Sequence, residues 1–310
     1  MGPMGHSMHV FDRRAVRRHR DRAAGSVGAV AEILADVAGR LLDRLDDTTH
    51  RFARALDLGG RGVMAPLLRA RGIDVVSCDL SPAMAARAGA PAVAADEEFL
   101  PFAPGSFDLI VANLSLHWVN DLPGALIQLR LALAPDGLFL ASLPALGTLG
   151  ELRTALTEAE AALTGGASPR VSPFPDLRDC AGLLQRAGFA LPVADAEDIT
   201  LSYADPFALL RDLRAAGESN AVAERDRRTP PRALFPMALA SLPTAAGRHP
   251  VTLRLAMLTG WSPSPSQQQP ARRGSGQVSL AEVLRNRENE KSAGTVLPAK
   301  GREALGTPDC

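Results

Sequence analysis

The amino-acid sequence predicts an α/β fold built on a mostly parallel β-sheet. From Ala53 to Pro144, short apolar runs alternate with segments of helical periodicity, a pattern that forms right-handed βαβ units with helices on both faces of a sheet. Apolar residues make up 46% of the chain and charged residues 22%, which is enough to build a sizeable core. A last alternating segment, Val251–Leu258, predicts a final strand.

Helices are predicted before the sheet begins. Residues 1–9 mix Gly, Met and His and are interpreted as leader or vector-derived residues. The Arg-rich stretch that follows contains Asp12 and Asp21, which a mitochondrial presequence would avoid, so we interpret it as a solvated helix with one basic face. Apolar residues between Val30 and Leu45 recur at helical spacing and predict an amphipathic helix that ends near Asp46. Residues 10–50 are therefore predicted to form N-terminal helices.

Residues 51–262 are predicted to form the main domain. Its first strands are expected at Ala55–Leu58, Val75–Cys78, Ala92–Ala95, Leu109–Ala112 and Leu138–Ser142, with helices at Met64–Ala70, Pro82–Ala88 and Pro123–Ala134. A helical insertion of about residues 149–250 contains predicted helices at Leu149–Leu163, Asp176–Ala187 and Pro206–Ala216 and short strands at Pro192–Ala196 and Thr200–Tyr203. Residues 263–310 are rich in Pro, Gln, Ser, Gly and charge, which predicts a flexible tail.

Composition excludes several classes of function. The 34 Lys and Arg residues equal the 34 Asp and Glu residues, and zero net charge argues against a dedicated nucleic-acid binder. The only lysines are Lys291 and Lys300, so the body of the chain offers no Schiff-base or P-loop lysine. The three cysteines are far apart in sequence, which favours a reducing compartment, and no metal site is expected. The longest apolar run is too short for an integral membrane segment.

The segment from Ala55 to Gly62 carries the first sign of ligand binding. An apolar strand runs into Asp57, then into the glycines Gly59, Gly60 and Gly62, and then into a helix. Such a turn lets a ligand approach the backbone closely, and the helix that follows offers free N–H groups. The alternative interpretation is an ordinary tight β–α turn.

Two further acids follow the next two strands. Asp79 ends the second apolar run, where a carboxylate can accept both hydroxyls of a ribose, and Asp96 ends the third, where it can accept an adenine amino group. Each acid alone is as easily explained as a solvated loop carboxylate. Three in succession at the carboxyl ends of parallel strands indicate a nucleoside-binding edge. Neighbouring residues complete the candidate cofactor site: Leu80, Glu97, Asn113 and Leu116.

The glycine turn also indicates which nucleoside binds. It lacks the G-x-G-x-x-G dinucleotide fingerprint, and Asp57 directly before the glycines would repel a pyrophosphate. A ligand with an ammonium, a sulfonium and no phosphate fits better. The turn resembles the D-x-G-x-G-x-G motif of class I S-adenosylmethionine-dependent methyltransferases, with Gly60 and Gly62 shifted by one residue. This resemblance implies a Rossmann-like sheet with an antiparallel last strand, and S-adenosylmethionine as the cofactor.

Longer segments resemble a narrower group. Phe102–Leu109 and Leu114–Gly124 are similar to the malonyl-carrier-protein methyltransferase of biotin synthesis and to the complex I assembly factor that hydroxylates an arginine. Two features depart from the second family: Pro144–Gly147 replaces paired glycines, and the stretch 235–248 is short and lacks tyrosines. Four segments nevertheless favour that second family: Val10–Arg13, Gly166–Phe174, Gly217–Asn220 and Thr259–Trp261. The similarity of the fourth segment continues into the tail, to about Glu282.

Two places provide candidates for the substrate side. His117 follows the fourth strand and is a tentative proton acceptor, and Trp118 beside it is placed to stack on a bound molecule. The alternative for His117 is a half-buried ring bonded to a backbone carbonyl. Glu218, Ser219 and Asn220 form a polar turn after a predicted amphipathic helix and are expected to line the substrate cleft.

The resemblance implies an enzyme that binds S-adenosylmethionine and modifies a protein, by hydroxylation or methylation of an arginine in a respiratory complex I subunit. Two alternatives stay open. One is methyl transfer to a carrier-bound or small-molecule acid, and the other is a non-catalytic assembly factor with a relic cofactor site. The expected location is the bacterial cytoplasm, or the matrix face of the mitochondrial inner membrane in a eukaryote, and peripheral membrane association is compatible with both.

Overall fold

The structure is a computed structural model that describes residues 9–267 and residues 274, 275, 279 and 285. The first eight residues of the predicted leader and most of the predicted tail lie outside the described residues. The chain divides into two units, Met1–Ser266 and Gln267–Cys310, and every helix and strand named below belongs to the first. Within the described part, none of the helices combines the length and the apolar character needed to cross a bilayer.

A seven-stranded sheet forms the centre of the first unit. Its strands stand in the order β3-β2-β1-β4-β5-β7-β6, and the first five are parallel. Strand β7 runs antiparallel to both of its neighbours, which confirms the predicted sheet with an antiparallel last strand. The strands are β1 (Arg54–Leu58), β2 (Asp74–Asp79), β3 (Ala92–Ala94), β4 (Phe107–Asn113), β5 (Leu133–Pro144), β6 (Ala190–Tyr203) and β7 (His249–Trp261).

Helices cover both faces of this sheet. The helices are α1 (Arg13–Ala23), α2 (Ala31–Asp46), α3 (Met64–Arg69), α4 (Pro82–Arg87), α5 (Leu122–Ala132), α6 (Gly150–Thr164), α7 (Leu177–Arg186), α8 (Pro206–Ala215) and α9 (Leu234–Ala240). One core contains the apolar stripe of α2 with side chains from α3 and the sheet, and the other contains α5 and α7. A smaller core lies among α6, α8 and α9. Buried apolar area of this kind supplies the main stabilisation of the fold.

The topology determines where a ligand can bind. Strand order reverses between β1 and β4, so the loops that leave these two strands diverge and open a crevice at their carboxyl ends. The glycine turn after β1 and the short 3₁₀ helix Leu116–Trp118 after β4 flank this crevice. Helix α1 lies against the same edge, because it packs on α4 and α8.

Three sequence predictions are corrected by the structure. The two short strands predicted at 192–196 and 200–203 are one continuous strand, β6. The interval 149–250 also contains helix α9, which was not predicted. The interpretation of α1 as a solvated basic helix is wrong for Arg20, whose side chain is 1% exposed and sits on the buried face with Val16 and Ala23.

Candidate active site

The glycine turn packs tightly against the end of β4. Gly59 has a φ of +66° and Gly62 a φ of +81°, both in the left-handed region that favours glycine. A Cβ at Gly59 would clash with the Cβ of Ser115. Only a residue without a side chain therefore allows the turn to approach the β4 loop this closely.

Asp57 lies beneath this turn and is 1% exposed. One oxygen of its carboxylate accepts a hydrogen bond from the Ser77 hydroxyl at 3.4 Å, and the other has no partner among the described residues. Burial raises the pKa of Asp57 to about 7. A cation placed over the turn would favour the ionised form of this carboxylate and lower its pKa again.

The structure brings the other predicted acids to the same edge. Asp79 ends β2 with Leu80 directly after it, and Asp96 and Glu97 follow β3. The side chains of Asp79 and Glu97 are almost completely buried. Burial raises the pKa of Asp79, whereas the charges of Arg20 and Arg13 outweigh burial at Glu97 and lower its pKa.

Two arginines of α1 hold these acids. Arg20 Nη1 lies 2.8 Å from Glu97 Oε1 and 3.4 Å from Asp79 Oδ1, and Arg20 Nη2 donates to the Ser115 carbonyl at 3.2 Å. Arg13 pairs with Asp96 at 2.5 Å and also with Glu97. Although burial opposes it, the charges of Asp79 and Glu97 raise the pKa of Arg20, so its guanidinium stays charged in the interior.

A second charged group forms around Glu218. Its carboxylate accepts hydrogen bonds from His117 Nε2 and Trp118 Nε1, each at 2.7 Å, and pairs with Arg61 of the glycine turn. Arg61 also donates to the Leu114 carbonyl at 2.9 Å. Burial would raise the pKa of Glu218, but His117 and Arg61 outweigh it and lower the pKa to about 2. Glu218 is therefore a fixed anion that orients three donors.

A cavity of about 150 Å³ adjoins this group. Leucines and other apolar side chains of α2, α6, α8, β6 and β7 form most of its walls. Tyr203 and Asp212 both line it, and burial together with the Asp212 charge raises the pKa of the Tyr203 hydroxyl. Among the described residues Asp212 has no ion-pair partner, whereas Arg170, also in the lining, is paired with Glu160 at 2.5 Å. The cavity thus carries one carboxylate that no cation of the described residues neutralises.

The remaining predicted residues have other contacts. The Asn113 amide donates to the Leu34 carbonyl at 3.0 Å and accepts from the Ser142 hydroxyl, so it links β4 to α2 and β5. Leu116 is fully buried. Ser219 does not line the cavity, and its carbonyl accepts from His19 Nδ1 at 3.0 Å. Asn220 lines the cavity while its amide donates to the Pro169 carbonyl.

Four residues at the site were missed by the sequence analysis as functional residues: Arg13, Arg20, Arg61 and Asp212. A usable signal existed for Arg20, because it shares a helical face with Val16 and Ala23, two of the three apolar residues of α1. No local pattern marks Asp212, which is one of several charged residues on α8.

The residues present fit a ligand that carries hydroxyl and cationic groups. Five buried polar atoms at this edge have no hydrogen-bond partner among the described residues, and such orphaned atoms are uncommon in native proteins. They are Asp57 Oδ1, Asp79 Oδ2, Ser115 Oγ, Arg61 Nε and His117 Nδ1. Within the residues described, no group of three or more His, Cys, Asp or Glu side chains with the geometry of a metal site was found.

Comparisons with known proteins agree with this geometry. Residues 30–192 match the family model of a methyltransferase domain. The mitochondrial arginine hydroxylase NDUFAF5 of Danio rerio is 35% identical over 291 residues, which cover 89% of this chain and 90% of that protein. The Homo sapiens protein of the same name is 37% identical over 292 residues, which cover 89% of this chain and 84% of that protein. A malonyl-[acyl-carrier protein] O-methyltransferase of Halorhodospira halophila is 40% identical over 228 residues, 70% of this chain and 75% of that one. The solved YcgJ protein of Bacillus shares the fold at a TM-score of 0.51 and 14% identity, over 72% of this chain and 98% of that chain.

Sheet order, glycine turn and strand-end acids together define an enzyme of the S-adenosylmethionine-dependent methyltransferase fold, with S-adenosylmethionine as its cofactor. The chain belongs to the class I methyltransferase superfamily, in the group that contains the NDUFAF5 arginine hydroxylases and, related to them, the malonyl-[acyl-carrier protein] O-methyltransferases.

Proposed function

We propose that this S-adenosylmethionine-binding enzyme modifies an arginine side chain of a protein substrate. The observation that carries the proposal is the apolar cavity beside the glycine turn, in which the Asp212 carboxylate has no cationic partner among the described residues. Such a cavity favours a long aliphatic side chain with a positive end, because burying an anion beside Asp212 would add an unfavourable charge.

The cofactor side of the proposal uses the predicted residues. Asp57 and the backbone of Gly59, Gly60 and Gly62 would hold the cationic methionine end, and Asp79 would accept the ribose hydroxyls. Asp96 and Glu97 lie where the adenine would bind, with backbone and apolar contacts from residues that share this edge: Leu80, Asn113 and Leu116. When bound, S-adenosylmethionine supplies an activated methyl group.

On the substrate side, Asp212 would accept hydrogen bonds from the guanidinium, and Tyr203 lines the same cavity. His117 is the candidate proton acceptor. Its Nε2 donates to the ionised Glu218, so in the neutral ring Nδ1 is the unprotonated nitrogen, and Nδ1 is buried without a partner among the described residues. Trp118 and Asn220 would complete the lining near the acceptor.

Two kinds of chemistry are supported by relatives. The relatives that match 89% of this chain are named arginine hydroxylases, which favours hydroxylation of the arginine. With dioxygen as the oxygen donor, that step would also consume a two-electron reductant and two protons and release water, so it needs co-substrates besides S-adenosylmethionine. Relatives named malonyl-[acyl-carrier protein] O-methyltransferases support the second candidate, methyl transfer to a carrier-bound acid. A complex I subunit as the substrate, and a location in the bacterial cytoplasm or the mitochondrial matrix, are implied by the resemblance to the assembly factor.

Mass spectrometry of complex I subunits from a strain that lacks this chain tests the proposal. We expect an arginine that is modified in the parent strain to be unmodified in the deletion strain. Reintroducing the chain should restore the modification, whereas Asp212→Asn should reduce it about 10- to 100-fold because a charge-assisted hydrogen bond to the guanidinium is lost.

Asp205→Asn is the matched control, because it removes the same charge just before the same helix at an exposed position and keeps a side chain that can cap α8. A mass increase of one oxygen atom identifies hydroxylation, and one of a methyl group identifies methylation. An identical arginine in both strains, together with loss of a methylated malonyl carrier, would establish the second candidate instead.

A further inference from the structure

The acids expected to hold the cofactor are already engaged by α1. We propose that the described arrangement is a closed state, in which Arg20 occupies the ribose position and must leave before S-adenosylmethionine binds. This inference rests on the cofactor part of the proposed function. We call the closing structure the cover, and it consists of residues 9–23 and 217–225.

The cover is held together as one unit. Asp12 N donates to the Ala221 carbonyl at 2.8 Å, and Ala223 N donates to the Val10 carbonyl at 2.9 Å. Arg225 pairs with Asp12 at 2.9 Å. The backbone of Gly217 approaches α1 closely, since a Cβ there would lie 3.4 Å from the Cα of Arg20. Helix α1 and the turn that carries Glu218 therefore move together or not at all.

Arg20 and a ribose would compete for the same carboxylate. Asp79 Oδ1 already accepts from Ser81 N at 2.8 Å and faces Arg20 at 3.4 Å, and only Oδ2 is unpartnered among the described residues. A ribose diol needs both oxygens of the carboxylate for paired hydrogen bonds. Because Arg20 and Asp79 are 1% and 2% exposed, neither solvent nor a ligand reaches this carboxylate while the cover is closed.

Electrostatics explains what stabilises the closed state. Asp79 and Glu97 are two buried carboxylates that repel each other, and the Arg20 guanidinium, between them, compensates their charge. S-adenosylmethionine would place its cationic groups beside Asp57, and its ribose hydroxyls and adenine amino group would donate to the carboxylates that Arg20 releases. Binding of the cofactor is then weakened by the fraction of molecules that are closed, as for any ligand that selects a minor state.

The cover also links the two halves of the site. Glu218 belongs to the cover, and it positions His117, Trp118 and Arg61. Opening for the cofactor therefore removes an anion from the cavity wall, and the cavity is complete only after the cover has closed again. The order of binding that follows is cofactor first and protein substrate second.

Calorimetric titration with S-adenosylhomocysteine and S-adenosylmethionine tests the cover on the full-length chain. Arg20→Gln removes the competing cation and keeps a polar side chain of similar reach, so we expect both ligands to bind about tenfold more tightly. Arg17→Gln is the control, because Arg17 lies on the same helix, is 55% exposed and, within the described part of the chain, pairs with Asp21 alone. Weaker binding by a folded Arg20→Gln variant would make Arg20 a ligand contact and overturn the proposal.

A reversible lock supplies an independent test that leaves Arg20 in place. The Ser81 hydroxyl donates to the Asp21 carboxylate at 2.5 Å, so these positions face each other between α1 and α4. In the Asp21→Cys/Ser81→Cys variant, the disulfide should abolish binding and reduction should restore it. Undiminished binding by the oxidised protein would overturn the cover while leaving the cofactor assignment intact. Absence of binding by the unmodified chain and by Arg20→Gln would instead overturn the proposed function.

Discussion

Asp57 is the residue whose electrostatics can be measured most directly. Its carboxylate lies beneath the glycine turn, and burial raises its pKa to about 7 from 3.8. The folded state therefore holds a proton on this carboxyl group across a pH range in which the unfolded chain has released it. Its contribution to stability is complete below about pH 4 and is lost as pH rises through about 7.

Asp57→Asn removes this titration and leaves an isosteric neutral group. We expect the free energy of unfolding of the wild-type chain to fall relative to Asp57→Asn by up to about 4 kcal/mol between pH 4 and pH 8, because about three pKa units separate the two states. Urea denaturation of both proteins at several pH values measures the difference. A difference that does not change with pH would mean that Asp57 is ionised in the folded chain.

At this scale, sequence spacing predicted the acids but not their partners. Asp57, Asp79 and Asp96 end strands whose apolar runs are visible in the sequence, so their meeting at one edge follows from parallel pairing. Arg20 reaches the same edge through tertiary packing. Arg20 comes from a helix that precedes the sheet, and no local period relates it to Asp79.

At the scale of secondary-structure elements, glycine is required in the β1–α3 turn but is unfavourable inside helix α2. Gly59 has a positive φ and no room for a Cβ, so Gly59→Ala should lower the free energy of unfolding by about 2–4 kcal/mol through strain and overpacking. Gly39 lies inside α2, and a Cβ added there would meet no atom within 4 Å, so Gly39→Ala should raise it by about 1 kcal/mol.

Thermal and urea unfolding of these two variants give the comparison. Each adds one methyl group, so the difference between them reports backbone conformation and space rather than side-chain chemistry. Equal effects of the same sign would show that the turn after β1 is not the tight one that the structure describes.

The length of strand β6 could not be predicted from the residues of the strand alone. The acids in its middle, Asp195, Glu197 and Asp198, break the apolar alternation, and two short strands are the natural prediction. In the structure, Arg44 pairs with Asp195 and Glu197 at 2.7 Å, and Arg254 of β7 pairs with Asp198 at 2.7 Å. Arginines from two other elements thus allow charged residues to continue an edge strand.

For the molecule as a whole, stability is distributed unevenly. The sheet and the helices on its faces share two large apolar cores. Helix α1 contributes mainly to a separate small cluster, Phe11, Ala15, Val16, Trp118 and Ala221. The α/β architecture was predictable because the apolar residues that form the large cores recur at strand or helix spacing in the sequence. The closure of α1 over the site was not, since it depends on contacts between residues far apart in the chain.

This distribution predicts a cover that opens without unfolding the sheet. The small cluster offers much less buried apolar area than the main cores, so the α1 amides should exchange with solvent through a partial opening. We expect the opening free energy of the α1 amides to lie at least about 2 kcal/mol below that of the β4 amides in native-state hydrogen exchange.

Helix α2 is the internal control for this measurement. It follows α1 in the chain, but Leu34, Val37 and Leu41 belong to a main core, so its amides should exchange with β4 rather than with α1. Residues 217–225 should exchange with α1, because hydrogen bonds join the two parts of the cover. If α1 instead exchanged only through global unfolding, as β4 does, the buried Arg20 would have no route away from Asp79 short of unfolding the chain, and cofactor entry would require another path.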